Sequence, residues 1–256
     1  MVDDNSSSRP VALVTGASYG LGAEIAKTLA HDGFDVAITE LSTDDLSDTV
    51  ASVEAAAGAR AAAIALDLRS MESIEGAVAG TIDALGQIDV LVNNAGLLIA
   101  KPALDVTPDQ WDQVMSVNVK GSYFMAQHVA RHLIDTGRAG SIINIASTFT
   151  TIGTPNVSPY GISKAAVGGI TRHLAVEWAP FGIRVNAVAP GTVETKYRAE
   201  IMAANPQRRE ASIAKIPMGR FGTPEDMAGA VSYLASPAAA YVNGHVLTVD
   251  GALTIS

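Results

Sequence analysis

A tyrosine and a lysine stand one helical turn apart in this chain, Tyr160-Gly-Ile-Ser-Lys164, with Ser147 upstream. A free tyrosine titrates at about pH 10 and is a poor base at neutral pH. An ammonium at the i+4 position favours the phenolate electrostatically, so this pair can move a proton near pH 7. Ser147 follows the apolar run Ser141-Ile-Ile-Asn-Ile145, at the end of a strand where α/β sheets meet their ligands. Its hydroxyl can hold a substrate oxygen. A lone Tyr-x-x-x-Lys is most often an exposed surface pair; here it coexists with a second motif.

That motif is Thr15-Gly-Ala-Ser-Tyr-Gly-Leu-Gly22, a glycine-rich turn after the apolar run Val11–Val14. Gly16, Gly20 and Gly22, with Ser18, Tyr19 and Leu21 between them, let the backbone approach a pyrophosphate closely. The helix beginning there offers free N–H groups and a positive dipole end to phosphates. The spacing is G-x-x-x-G-x-G rather than G-x-G-x-x-G, and the strand before it and helix after it strengthen the reading. Glu40 follows at the end of the next strand. A carboxylate there accepts hydrogen bonds from both ribose hydroxyls of NAD and repels the 2′-phosphate of NADP. NAD is favoured, and NADP remains open.

These residues need a scaffold, and the hydrophobic pattern supplies one. Apolar runs at Val11–Val14, Val36–Ile38, Ala62–Leu66, Val90–Val92, Ser141–Ile145, Arg184–Val188 and His245–Val249 read as strands. Between them lie helical patterns, such as Leu21, Ile25 and Leu29 at four-residue spacing. A long helix runs from about Pro108 to Leu133 and breaks near Asn118. Strand alternates with helix without a linker or repeat, which predicts one α/β domain: a doubly wound, Rossmann-type parallel sheet of about seven strands with helices on both faces. Residues 1–9 are expected to be a disordered tail. The charged, aperiodic segment 192–218 is expected to be a mobile lid over the substrate. A TIM barrel shares the length and alternation but needs no glycine turn after its first strand.

The motifs TGASYGLG at 15–22, NNAG at 93–96, NVKG with Asn118, Ser147, YGISK at 160–164 and PGTVET at 190–195 resemble the short-chain dehydrogenase/reductase family. The match runs in order from Pro10 to Leu253, to the single-domain branch. The resemblance implies hydride transfer between a nicotinamide and a secondary alcohol/ketone pair, with Asn118, Ser147, Tyr160 and Lys164 as a catalytic tetrad. In it, Tyr160 is the general acid/base, Ser147 polarises the carbonyl, and Lys164 lowers the Tyr160 pKa and binds the nicotinamide ribose. Asn118 holds a backbone geometry and a water that relays protons. The resemblance further implies Asp67 and Leu68 near the adenine, Asn93, Ala95 and Gly96 along the cofactor, and Pro190, Gly191, Val193 and Thr195 around the nicotinamide. It departs where the family often has Asp-Gly-Gly and this chain has Asp250-Gly251-Ala252, putting local packing there in doubt. Family members are commonly dimers or tetramers, which implies a homo-oligomer, with a homotetramer as the specific expectation.

The chain has 256 residues, a net charge of −9 and no cysteine. The charge argues against nucleic acid or an anionic membrane as partner, and the lack of cysteine excludes disulfides and thiolate metal sites. With no membrane span or signal-like start in the sequence, the expected setting is cytoplasmic. His128 and His132 sit at i, i+4 on a helix with no third ligand nearby, so no metal site is expected. Ile152, Thr154, Asn156 and Val157 are expected to face the substrate as a wall with few charges, suited to a neutral or hydroxylated small molecule. Two other functions stay open. One is a 3-oxoacyl-[acyl-carrier-protein] reductase, for which Arg131, Arg138, Arg172 and His173 would have to form a basic docking patch. The other is a non-catalytic dinucleotide-binding scaffold.

Overall fold

Each strand of the chain is short, β-branched or alanine-rich, and bounded by glycine or a polar turn, the pattern of strands buried on both faces. In the computed structural model, which describes residues 9–56, 58–195, 199 and 205–256, these runs form one seven-stranded sheet. The strands are β1 (Val11–Thr15), β2 (Asp35–Glu40), β3 (Ala61–Ala65), β4 (Val90–Asn93), β5 (Gly140–Ile145), β6 (Ile183–Pro190) and β7 (Val246–Val249). Their order is β3-β2-β1-β4-β5-β6-β7, and every pairing is parallel. The order reverses between β1 and β4. That crevice, at the carboxyl ends of the strands, is where this architecture binds ligands.

Successive residues of a strand serve opposite faces. Val11 and Leu13 point into a core built with α3 (Met71–Leu85), α5 (Ser122–Asp135) and α6 (Ser158–Trp178). Ala12 and Val14 point into the other core, against α1 (Gly20–His31), α2 (Ser47–Glu54) and α8 (Pro224–Ala235). Between β4 and α5, α4 (Pro108–Met115) opens with a Thr107/Gln110 capping box. The break foreseen near Asn118 is a π-helical turn over Ser116–Gly121 that joins α4 to α5 without ending the helix. Such π turns cluster at functional sites.

At the end of the expected tail over 1–9, Arg9 pairs with the buried Asp35 at 3.3 Å and donates to the Ala30 carbonyl, so that residue is held against the domain; residues 1–8 lie outside the described residues. Of the segment 192–218, residues 196–198 and 200–204 also lie outside them. The remainder is not without secondary structure. It contains α7 (Pro206–Ile213), whose cap Asn205 accepts from the Arg208 amide and whose first residue is proline. Among the described residues, no helix is long and apolar enough to cross a membrane.

Candidate active site

At the crevice, the first strand ends in Thr15 and the glycine turn. Gly16 has φ of 65°, and a Cβ on it would come within 2.8 Å of the Ala95 Cα. A side chain at Gly22 would collide with the Gly16 carbonyl and the Asn94 amide. Only glycine fits at these positions, so the turn is a tight backbone cradle. Helix α1 begins at Gly20, and its N-cap Tyr19 makes no side-chain capping bond, leaving the first N–H groups for an anion.

The cradle is tied to β4 by side chains. Asn94 Nδ2 donates to the carbonyls of Thr15 and Gly16, and the Thr15 hydroxyl accepts from the amides of Asn94 and Ala95. From α2, Thr49 donates to the Ala17 carbonyl at 2.8 Å. Sequence reasoning assigned Asn93 to the cofactor, yet its side chain turns inward and is buried. It donates to Asn144 Oδ1 and the Ser122 carbonyl, and Asn144 in turn donates to Thr171 on α6. Asn94, on the opposite side of the strand end, lines the crevice instead.

Three adjoining cavities run along the strand ends and share residues, so they form one groove. The first, about 320 Å³, lies over β2 and β3 and is lined by Glu40, Leu66, Asp67, Leu68 and Arg69. The second, about 300 Å³, sits on the glycine turn and includes Ser18, Tyr19, Leu21 and Thr195. The third, about 410 Å³, is lined by Ser147, Tyr160, Lys164, Pro190, Gly191, Val193 and Thr195. Gly96 lines all three, and Gly16, Glu40 and Ala95 line the first two.

In the first cavity, Ser18 Oγ donates to Glu40 Oε2 at 2.8 Å, and the Leu41 amide donates to Oε1. Asp67 engages Arg69 at 2.7 Å, and this hydrogen bond holds its carboxyl below the usual carboxylate range. The Thr39 hydroxyl is buried at the edge of the same cavity without a hydrogen-bond partner among the described residues.

In the third cavity, Tyr160 and Lys164 sit on α6 one turn apart. Lys164 is 4% exposed, its Nζ donates to the Ile145 carbonyl at 2.6 Å, and it lies 5.6 Å from the Tyr160 ring centroid. Burial lowers the Lys164 ammonium from its usual 10.5 to about 8. Phe149 stands edge-on to the Tyr160 ring at 6.0 Å. Ser147 lies just past β5, and its Oγ accepts from the Phe149 amide, capping a turn over Thr148–Thr150.

Asn118, 1% exposed, reaches across from the π turn. Its Oδ1 accepts from the Leu97 amide at 2.7 Å, and its Nδ2 donates to the Leu97 carbonyl and to Ser163 Oγ. One side chain thus fixes the loop after β4 against the helix that carries Tyr160 and Lys164.

The turn after Ser147 carries Ile152, Thr154 and Val157 into a fourth cavity, over Ser158, Gly161, Ile162 and Ala165 of α6, which adjoins the third through their shared Phe149. The third cavity itself is lined around Tyr160 by Leu98, Thr148, Phe149, Thr192 and Leu253. His132 is likewise occupied, its Nε2 accepting from the Ile88 amide at the far end of the sheet.

A family model described as enoyl-(acyl carrier protein) reductase matches residues 16–254. The 2-dehydro-3-deoxy-D-gluconate 5-dehydrogenase of Escherichia coli K12 is 41% identical over 241 residues, 94% of each chain. A short-chain type dehydrogenase/reductase from Mycobacterium marinum superposes with a TM-score of 0.90 at 35% identity, covering 96% of both chains. The chain belongs to the short-chain dehydrogenase/reductase family. It is an oxidoreductase of that family, acting on the CH–OH group of a secondary alcohol with NAD(P). A 3-ketoacyl-(acyl-carrier-protein) reductase from Brucella melitensis, complexed with NADH, aligns at TM-score 0.87 and 33% identity, covering 96% of this chain and 98% of its own. Other similar structures hold NADP. The dehydrogenase/reductase fold read from the motifs is thus the observed one.

Proposed function

We propose that Tyr160 is the general acid/base of this short-chain dehydrogenase/reductase, with Ser147 and Lys164 completing its proton chemistry and Asn118 positioning them. The observation that carries the reading is the buried Lys164 ammonium beside the Tyr160 ring, in a cavity continuous with the glycine cradle. In a low-dielectric pocket that charge favours the phenolate more strongly than at the surface. In the reductive direction Ser147 and Tyr160 hold the carbonyl oxygen and the Tyr160 hydroxyl gives up its proton. In oxidation the phenolate takes the proton of the carbinol. The bound nicotinamide supplies or accepts the hydride.

The groove fits such a cofactor. Its cradle would be filled by any Cβ, the N-terminus of α1 lacks a capping side chain, and the Thr39 hydroxyl is an orphaned buried polar atom at its adenine end. Gly16 to Gly22 would hold the pyrophosphate, Asp67 and Leu68 the adenine, Ala95 and Gly96 the middle, and Pro190, Gly191, Val193 and Thr195 the nicotinamide. We favour NAD over NADP because Glu40 brings a carboxylate to the wall shared by the first two cavities. The cation nearest in the lining, Arg69, is already paired to Asp67. The test is kcat/KM with NAD and NADP over a panel of polyols, sugars, hydroxysteroids and β-hydroxy esters. A preference for NAD of about tenfold or more supports the assignment, and a preference for NADP contradicts it.

The remaining readings follow the same line. Segment 192–218 serves as a lid over one catalytic domain; at its root Arg209 pairs with Glu194 at 2.7 Å and sits over the Phe221 ring. Reduction of a β-ketoacyl carrier protein is the second reading, favoured by the likeness to the 3-ketoacyl-(acyl-carrier-protein) reductase of Brucella melitensis. A basic patch for an acidic carrier would lose Arg138, which is paired to Asp89. The exposed Trp111, Ile162 and Val176 on α4 and α6 support a homo-oligomer, dimer or tetramer, read by mass photometry. A cysteine-free chain suits the cytoplasm.

A further inference from the structure

The last residues after β7 are built into the catalytic cavity. The Asp250 carboxylate accepts from the amides of Ala252 and Thr254 and from the Thr254 hydroxyl, folding the chain into a tight turn. Ala252 sits in the left-handed region at φ 72°, a conformation that disfavours any residue with a Cβ. Strain of this kind persists where the surroundings over-determine it, and it clusters at ligand-binding sites. The turn has two consequences. Leu253 lines the cavity of Ser147, Tyr160 and Lys164, and it also packs with Ile213, Ile216 and Phe221 from the segment after β6.

Setting aside the groups assigned to proton transfer and cofactor and the strand-end residues Asn94, Ile145 and Ala146, the cavity is lined by Leu98, Phe149 and Leu253, with Thr148 and Thr192. Three apolar side chains from three different segments thus line the same cavity as Ser147 and Tyr160. We infer that Leu253 is a specificity-determining residue: with Leu98 and Phe149 it forms an apolar subsite for a hydrocarbon arm of the secondary alcohol. The C-terminal turn aims it there. This rests on the proposed reading of the Ser147–Tyr160–Lys164 cavity as catalytic. Selectivity in such a subsite follows from the water-exposed area that the arm loses, so it grows with arm length.

The test is a ladder of 2-alkanols, from 2-butanol to 2-octanol, oxidised by the wild type, Leu253→Ala, Leu253→Val and Tyr160→Phe. Leu253→Ala is expected to lower kcat/KM for 2-octanol by about tenfold or more while changing that for 2-butanol by less than about threefold, with Leu253→Val between them. NADH affinity, read by fluorescence titration, stays within about twofold of wild type in both, which shows that the cofactor groove and the fold are intact. A parallel loss at every length, or none, overturns the proposal. So does a wild type that turns over polyols or sugar acids but no member of the ladder. If Tyr160→Phe keeps full turnover, the catalytic reading fails instead, and the two failures are separable.

Discussion

Replacing Lys164 by methionine removes a buried charge, and the structure fixes both the sign and the scale of the result. The folded protein holds this ammonium at a pKa of about 8, against 10.5 for a free lysine, because burial disfavours the charged form. Below pH 8 the group is protonated in both folded and unfolded chains, and the fold carries the full desolvation cost. As pH rises past 8 the folded chain releases its proton first. The unfolded chain then binds more protons, so stability rises with pH until both states are neutral above 10.5. The separation corresponds to about 3 kcal/mol. The Lys164→Met chain lacks this titration; groups not coupled to Lys164 cancel in the difference, and making the comparison with Tyr160→Phe in both chains removes the tyrosine its charge acts on. Urea unfolding of the two proteins from pH 7 to 10.5 should therefore show Lys164→Met at least as stable as wild type at pH 7. The wild type should then gain most of about 3 kcal/mol on it as pH rises. A difference that is flat, or that moves against the wild type, would refute the claim that burial strains this charge. Activity should be lost in the variant at every pH, since the fold keeps a costly ammonium that only the chemistry uses.

Three further outcomes follow from individual contacts. Glu40→Gln removes the carboxylate that would face a 2′-phosphate, and should shift the NADP/NAD ratio of kcat/KM by about tenfold toward NADP; a shift under about twofold contradicts its role. Asn118→Ala takes both partners from Leu97 and one from Ser163. Urea unfolding should show a loss of about 2–3 kcal/mol, with kcat falling, and a neutral substitution would mean the clamp is idle. Ala252→Gly relieves a left-handed alanine. It should stabilise the protein by about 0.5–1 kcal/mol in the same assay, net of the extra freedom glycine gives the unfolded chain. A loss would show that the turn is not strained.

The strands and the order of the motifs were legible because burial on both faces leaves continuous apolar runs that end at glycine or polar turns. Boundaries moved by a residue or two where alanine blurred them: the third strand, read as 62–66, is Ala61–Ala65. The short polar α7 escaped because a helix without an apolar stripe leaves no period, although Asn205-Pro206 was a readable cap signal. Tyr160, Lys164, Ser147 and the glycine turn were found because their spacing is local. Asn94 was passed over for Asn93, since a strand buried on both faces gives no clue to which asparagine points outward. The placing of Leu253 in the catalytic cavity, and of Ile152 and Val157 in the one that adjoins it at Phe149, depends on one turn after Ser147 and on the dihedral angle of Ala252. Neither leaves a mark in hydrophobic pattern. The family's usual glycine at 252 becomes intelligible only with that angle in view.

The account's central claim is that Tyr160 moves the proton as hydride passes between nicotinamide and carbinol. Its most direct test is the turnover of Tyr160→Phe on the best secondary alcohol of the panel, with NADH binding titrated in parallel. The account predicts a loss of about 10²-fold or more in kcat with NADH affinity unchanged, the scale of a lost general acid/base. A variant that binds NADH and turns over within about threefold of wild type would contradict it.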